Sequence, residues 1–162
     1  MNRVSKINYY LDIAQTVSER STCIRKKFGA VIYKNDIIVS TGYNGAPRGR
    51  KNCIDFNFCM REKLGIPRGE RYEMCRSVHA EANAIIAASR EQMLDSTLYM
   101  ACVDPSTGEL VPDTCSCPMC KRLIINAGIA TIIIRNTKED YTVINTRDWI
   151  FNDDSLTGQT GY

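Results

Sequence analysis

His79-Ala80-Glu81 and Cys117-Pro118-Met119-Cys120 are the two stretches around which this chain is organised. His79 is the only histidine, and the two cysteines are two of eight. Together the stretches offer one imidazole, two thiolates and a spare carboxylate. Three N/S ligands leave a tetrahedral zinc one position short, and a catalytic zinc keeps that position for water. Glu81 is then free to move protons beside the metal. Taken singly, each stretch has a blander reading. A Cys-x-x-Cys pair also serves purely structural zinc sites, and His-x-Glu recurs by chance. Found on successive helices of an α/β chain, the two favour a catalytic centre and require both helices to start at one point.

Working outward, residues 78–94 read as a helix, rich in alanine and with Ser77 as its N-cap. A second helix runs from about residue 117 to 126, with Gly128 in the C′ place that glycine favours. Cys117 and Cys120, three apart in its first turn, share one face, where the helix dipole favours thiolates. His79 falls in the first turn of its own helix. On an ideal helix, residues two apart do not face each other. Glu81 must therefore reach around from the helix start, or that start must be irregular.

Strands flank these helices. Thr97–Cys102 and Thr131–Arg135 are β-rich, the latter apolar enough to be buried on both faces. Upstream, Phe28–Tyr33 and Ile37–Tyr43 are joined by the polar Lys34-Asn35-Asp36, which predicts an antiparallel hairpin. Residues 4–20 carry apolar positions at helical spacing. Residues 44–76 show no clear periodicity, and so long a stretch within a compact domain is usually functional or tied down. At the C-terminal end, 141–144 suit a short strand and 148–151 a short helix. The order α-β-β-α-β-α-β predicts a three-layer α/β/α fold with a mixed sheet of about five strands, the later strands parallel. Residues 1–151 form one domain on this reading, and 152–162 a loose tail.

Composition narrows the function. The chain has 162 residues, 44% hydrophobic and 24% charged, with a net charge of +3. That balance is ordinary for a globular domain and too weak for a nucleic-acid polymer as partner. It leaves room for a local basic pocket. No apolar run approaches the roughly 18 residues of a membrane span, and the N-terminus lacks a signal-peptide core. A cytoplasmic location, with no membrane partner, is the expectation, and in a reducing cytosol such cysteines are more often metal ligands or catalytic groups than disulfides.

Larger blocks surround these residues: Phe28-Gly29-Ala30-Val31-Ile32, Gly42-Tyr43-Asn44-Gly45-Ala46-Pro47, Val78–Ile85 and Asn126-Ala127-Gly128-Ile129. On these, over about residues 7 to 135, the chain resembles the deoxycytidylate (dCMP) deaminases of the cytidine deaminase superfamily, whose zinc signature is His-x-Glu followed by Pro-Cys-x-x-Cys. The Gly-Tyr-Asn-Gly-x-Pro segment points to the dCMP branch over cytidine or tRNA-adenosine deaminases. The resemblance implies hydrolysis of dCMP to dUMP and ammonia, supplying dUMP for dTTP synthesis. His79, Cys117 and Cys120 would bind Zn2+, and Glu81 would shuttle protons. Asn44 would contact the substrate sugar, Arg25 the phosphate, and Arg90 would lie near the nucleotide. The bland reading of Arg25 and Arg90 is an ordinary solvated arginine. The resemblance also implies dCTP and dTTP as effectors and a homo-oligomer, a hexamer in many relatives. A deaminase of another cytosine or adenine substrate, and a nucleotide-sensing zinc module without turnover, are the other readings.

The chain departs from the family pattern in two places. Ser116 replaces the proline before the first ligand cysteine, and 104–115 looks like an insertion ahead of it. Cys115 thereby competes with Cys117 as a ligand, but only Cys117 has the three-residue spacing to Cys120. Some relatives carry a second, structural zinc. Cys23 and Cys53 match two of its ligand positions, and Cys59 and Cys75 would complete a four-thiolate shell. The alternative is four buried or free thiols.

Overall fold

The computed structural model describes residues 2–152. Of the tail expected at 152–162, all but Asn152 lies outside the described residues. Helix α1 spans Lys6–Ser18, with Ser5 as N-cap accepting from Asn8 N at 3.2 Å. Strands β1 (Lys27–Lys34) and β2 (Ile37–Tyr43) form the expected hairpin. Its two turn residues, Asn35 and Asp36, both have positive φ, 52° and 61°. That is the turn whose twist suits an antiparallel pair.

The rest of the sheet follows from β3 (Thr97–Val103), β4 (Thr131–Arg135) and β5 (Tyr141–Asn145), in the order β2-β1-β3-β4-β5. Alternation along the strands builds two cores. Ala30, Ile32, Leu98, Met100, Ile132 and Ile134 face one side, and Val31, Tyr99, Ala101 and Ile133 face the other. Helix α1 covers the second face, with Tyr10, Leu11 and Ala14 buried. The first face packs against α4 (Ala80–Ile86) and α6 (Pro118–Ala127). Helix α7 (Thr146–Asn152) contributes Trp149 to the same core. The result is the expected three-layer α/β/α sandwich around a mixed five-stranded sheet. Among the described residues no helix is long and apolar enough to cross a membrane.

Three expectations change. Only β3 and β4 run parallel, and β5 returns antiparallel to β4. The segment 136–140 is too short for the crossover of a dozen or more residues that a parallel neighbour needs. The helix expected over 78–94 is two helices, α4 and α5 (Arg90–Met93). Ser89 caps the second by accepting from Gln92 N at 3.2 Å, and the Gln92 side chain accepts from Ser89 N at 3.0 Å. This reciprocal capping box starts a new helix rather than extending the old one. Finally, the N-cap of α4 is His79 and not Ser77. The aperiodic stretch 44–76 holds two single-turn helices, α2 (Cys53–Phe56) and α3 (Met60–Lys63), and a 3-10 turn at Tyr72–Met74.

Candidate active site

Helix α4 reaches the sheet because β2 presents Gly42 to it. A Cβ there would lie 2.3 Å from Ala80 O and 2.4 Å from Ala84 N, so only glycine permits the contact. The chain then pairs Gly45 with Val78 through Gly45 N to Val78 O, 3.2 Å, and Val78 N to Gly45 O, 2.8 Å. Asn83 Nδ2 donates to Tyr43 O at 2.8 Å. These bonds hold the end of β2 against the entry to α4 and fix where His79 emerges.

His79 is the N-cap of α4 and has extended backbone angles, φ −71° and ψ 157°. Glu81, two residues on, is already helical. This resolves the two-residue puzzle. The i,i+2 rule applies within a helix, and His79 stands outside it. Cys117 occupies the same station on α6, N-cap with φ −68° and ψ 163°, followed by Pro118 in the first turn, where proline fits. Cys120 lies one turn along, its carbonyl-side geometry set by the bond from Lys121 N to Cys117 O, 2.9 Å.

His79 Nδ1 sits 3.5 Å from Cys117 Sγ and 3.5 Å from Cys120 Sγ. Tetrahedral zinc with N and S bonds of about 2.0 and 2.3 Å separates such ligand atoms by about 3.5 Å. Both His79-to-thiol separations therefore suit that ion, and so does the chemistry of the three donors. Among the described residues they are the one group of three metal-binding side chains whose ligand atoms lie within 4.8 Å of one another. Cys115 is exposed and outside that group.

Hydrogen bonds and charge couple the titration of these groups. Burial lowers the proton affinity of His79, but bonds to Cys117 and Cys75 and the charge of Glu81 outweigh it and raise its pKa to about 11. The bond from Cys120 is the main cause that brings Cys117 down to about 4, with His79 adding to it against burial. Cys120 is pushed up by the same bond, by burial, by the charges of Glu81 and Cys117 and by a hydrogen bond with Glu81. Two adjacent thiols thus share one proton, and removing the second requires a positive partner.

Glu81 is 4% exposed, and its Oε1 accepts from Ser116 Oγ at 2.7 Å. Both residues line a cavity of about 490 Å³ together with His79, Cys117 and Asn44. Asn44 is pinned. Its Oδ1 accepts from Ser21 Oγ at 2.5 Å and Phe28 N at 2.9 Å, and Nδ2 donates to Lys26 O at 2.9 Å. The second Nδ2 hydrogen is available to the cavity. Arg25 also lines it, with Nε on Glu62 Oε1 at 2.8 Å, and so do Lys26 and Arg68. Arg90 does not line the cavity. It lies on α5, where its guanidinium donates to Asn126 O.

Cys23, Cys53, Cys59 and Cys75, the thiols expected to hold a second zinc, lie near one another. Burial, then the proximity of Cys23, Cys75 and Cys59, raises the Cys53 pKa, so the four are neighbours. No three of them meet the 4.8 Å spacing of the His79 group. Cys75 bonds instead to His79, which also meets the Tyr72 ring edge-on at 5.5 Å between centroids. Sequence reasoning did not find Cys75, Lys26 or Arg68 as pocket residues. The last lies in the aperiodic stretch, where no pattern marks a facing direction. Ser116 was visible as an exception to the family pattern, without a role.

The zinc-binding region of the cytidine and deoxycytidylate deaminases matches residues 4–136 of this chain. The deoxycytidylate deaminase of Mycobacterium phage D29 is 36% identical over 82% of this chain and 96% of its own length. That of Schizosaccharomyces pombe is 30% identical over 81% of this chain, which spans only 37% of the yeast protein. Among solved structures, the dCMP deaminase of cyanophage S-TIM5 superposes with a TM-score of 0.56 at 25% identity, covering 85% of this chain and 88% of that one. The cytidine deaminase of Burkholderia pseudomallei shares the fold, with a TM-score of 0.57 at 17% identity over 90% and 95%. With the family region matched over most of its length and its His-x-Glu and Cys-x-x-Cys elements meeting at one cavity, the chain belongs to the cytidine and deoxycytidylate deaminase family.

Proposed function

We propose that this protein hydrolyses the exocyclic amine of dCMP, releasing dUMP and ammonia, with zinc on His79, Cys117 and Cys120 and with Glu81 as proton carrier. The observation that carries this is the pair of 3.5 Å separations from His79 Nδ1 to the two thiols, beside a buried carboxylate at the wall of a nucleotide-sized cavity. The substrate follows from relatives named deoxycytidylate deaminase and from the S-TIM5 enzyme, whose structure holds dCMP and dUMP.

A zinc held by His79, Cys117 and Cys120 would supply the Lewis acidity that makes a water deprotonatable near neutral pH. Glu81 takes the proton from the water that adds to C4 of the pyrimidine and delivers it to ring N3. The proton of the new C4 hydroxyl, passed by Glu81 to the amine, lets the C4–N bond break, so ammonia leaves and the carbonyl of dUMP forms. Asn44 offers its remaining N–H to the sugar. Arg25 stands at the cavity wall as a planar, permanently charged partner for the phosphate. The domain performing this chemistry is residues 1–151.

The test is ammonia release and ultraviolet change on dCMP, with CMP, dCTP and cytidine as alternatives. Glu81→Gln should lose roughly 10²- to 10⁴-fold in kcat and keep its zinc. No turnover of any of these substrates by zinc-loaded protein would refute the reading. Zinc per chain in the same samples separates one site from two. Two equivalents would add the thiols Cys23, Cys53, Cys59 and Cys75 as a structural site.

A further inference from the structure

A carboxylate that carries protons needs one oxygen in a fixed place and the other free. The terminal torsion of a glutamate is broad and about two-fold, so the side chain alone does not decide which oxygen faces the substrate. In this protein a hydroxyl decides it. Ser116 Oγ donates its single hydrogen to Glu81 Oε1 at 2.7 Å. The other acceptor in reach, Met100 Sδ at 3.7 Å, is a weak one. Both partners are nearly buried at the cavity wall, Ser116 at 5% exposed and Glu81 at 4%, which strengthens the bond. Ser116 also directly precedes Cys117, the N-cap of α6. The hydroxyl therefore moves with the cysteine end of the site and ties it to the α4 end.

Proline, the residue that the family pattern places at this position, has no side-chain hydrogen to give. We propose that Ser116 is a positioning residue. It fixes Glu81 Oε1, so that Oε2 alone meets the attacking water and the pyrimidine ring. This rests on the reading of Glu81 as proton carrier.

The experiment uses the full-length, zinc-loaded protein and compares Ser116→Ala, Ser116→Thr and Glu81→Gln in steady-state turnover of dCMP, with zinc per chain measured for each. Loss of a hydrogen bond to a charged group predicts a fall in kcat of about 10- to 100-fold in Ser116→Ala. KM should stay within about threefold, because the bond acts on the proton transfer and not on ground-state binding. Zinc content should not change, and threonine, which keeps the hydroxyl, should recover most of the loss. The double variant Ser116→Ala/Glu81→Gln should be no slower than Glu81→Gln alone, since the hydroxyl then has no carboxylate to place. A Ser116→Ala kcat within about threefold of the parent would overturn the proposal. So would equal losses in the alanine and threonine variants, a KM that rises in step with the fall in kcat, or lost zinc. If Glu81→Gln stays active, the proton-carrier reading itself fails. If it is inactive and Ser116→Ala is unaffected, only the role of Ser116 fails.

Discussion

Gly42→Ala tests whether the contact between β2 and α4 sets the geometry of the site. The added Cβ would stand 2.3 Å from Ala80 O, 2.4 Å from Ala84 N and 3.0 Å from Asn83 C. All three are backbone atoms of the helix that starts at His79 and carries Glu81. No side-chain rotation relieves the overlap, so strand and helix must part by about 1 Å to restore normal contact distances. Overpacking of this kind costs about 1–3 kcal/mol, which in a domain of this size lowers Tm by roughly 3–10 °C. The larger effect is on function. A 1 Å misplacement of reacting groups can cost on the order of 10²-fold, and this shift moves His79 and Glu81 together relative to the cysteines of α6. The assay is kcat/KM on dCMP well below Tm, with circular dichroism showing the variant folded. Activity should fall about 100-fold under conditions in which nearly all molecules are folded. Activity within about threefold of the parent, or an unchanged Tm, would refute the reasoning.

Two further outcomes follow from buried polar groups. Asn44→Ala removes the acceptor of Phe28 N and Ser21 Oγ and the donor to Lys26 O. Stability in urea should drop by about 2–4 kcal/mol beyond any effect on substrate, and a loss below about 1 kcal/mol would show that the pinning is not structural. For the metal-free site, Cys117 is already a thiolate at pH 7, its pKa lowered to about 4, while His79, raised to about 11, and Cys120, also raised, still hold their protons. Zinc loading at pH 7 should therefore expel about two protons, so that affinity rises about 100-fold per pH unit and falls by the same factor on acidification. Calorimetry in buffers of different ionisation heat reads this number, and release of fewer than about one proton would contradict it.

The layers were legible from the order of helices and strands, and alternation along each strand then fixes which side chains meet which layer. Ala30 and Ile32 alternate with Val31, and Leu98 and Met100 with Tyr99 and Ala101, which places two faces on each strand. Strand direction was less so. The rule that βαβ units run parallel holds for β3 and β4, which have α6 between them, and gives no guidance for β5, reached by a five-residue turn. The break between α4 and α5 was written in the sequence as Ser89-x-x-Gln92, but a run of alanines outweighs that signal in any periodicity argument. The ligand triad was legible because both pieces are local. The basic wall of the cavity was legible only at Arg25, because Arg68 reaches it from a stretch whose path is held by contacts such as the bonds of Arg61 to Pro67 O and Glu70 O.

His79 and Cys117 are both N-caps, and neither side chain caps its helix. Serine, threonine, asparagine or aspartate at such a position would stabilise the helix start by typically about 1 kcal/mol. Two helices that meet at one cavity thus both give up their preferred first residue for a metal-binding one. A local rule broken twice at one point in space, with nothing gained in packing, is the mark of a functional constraint. The same placement explains the spacing of the signature. An N-cap side chain leaves from extended backbone, so His79 can face the cysteines while Glu81, in the first turn, turns toward Ser116. One intervening residue is what a helix boundary needs to aim a ligand and a proton carrier into the same cavity from adjacent directions.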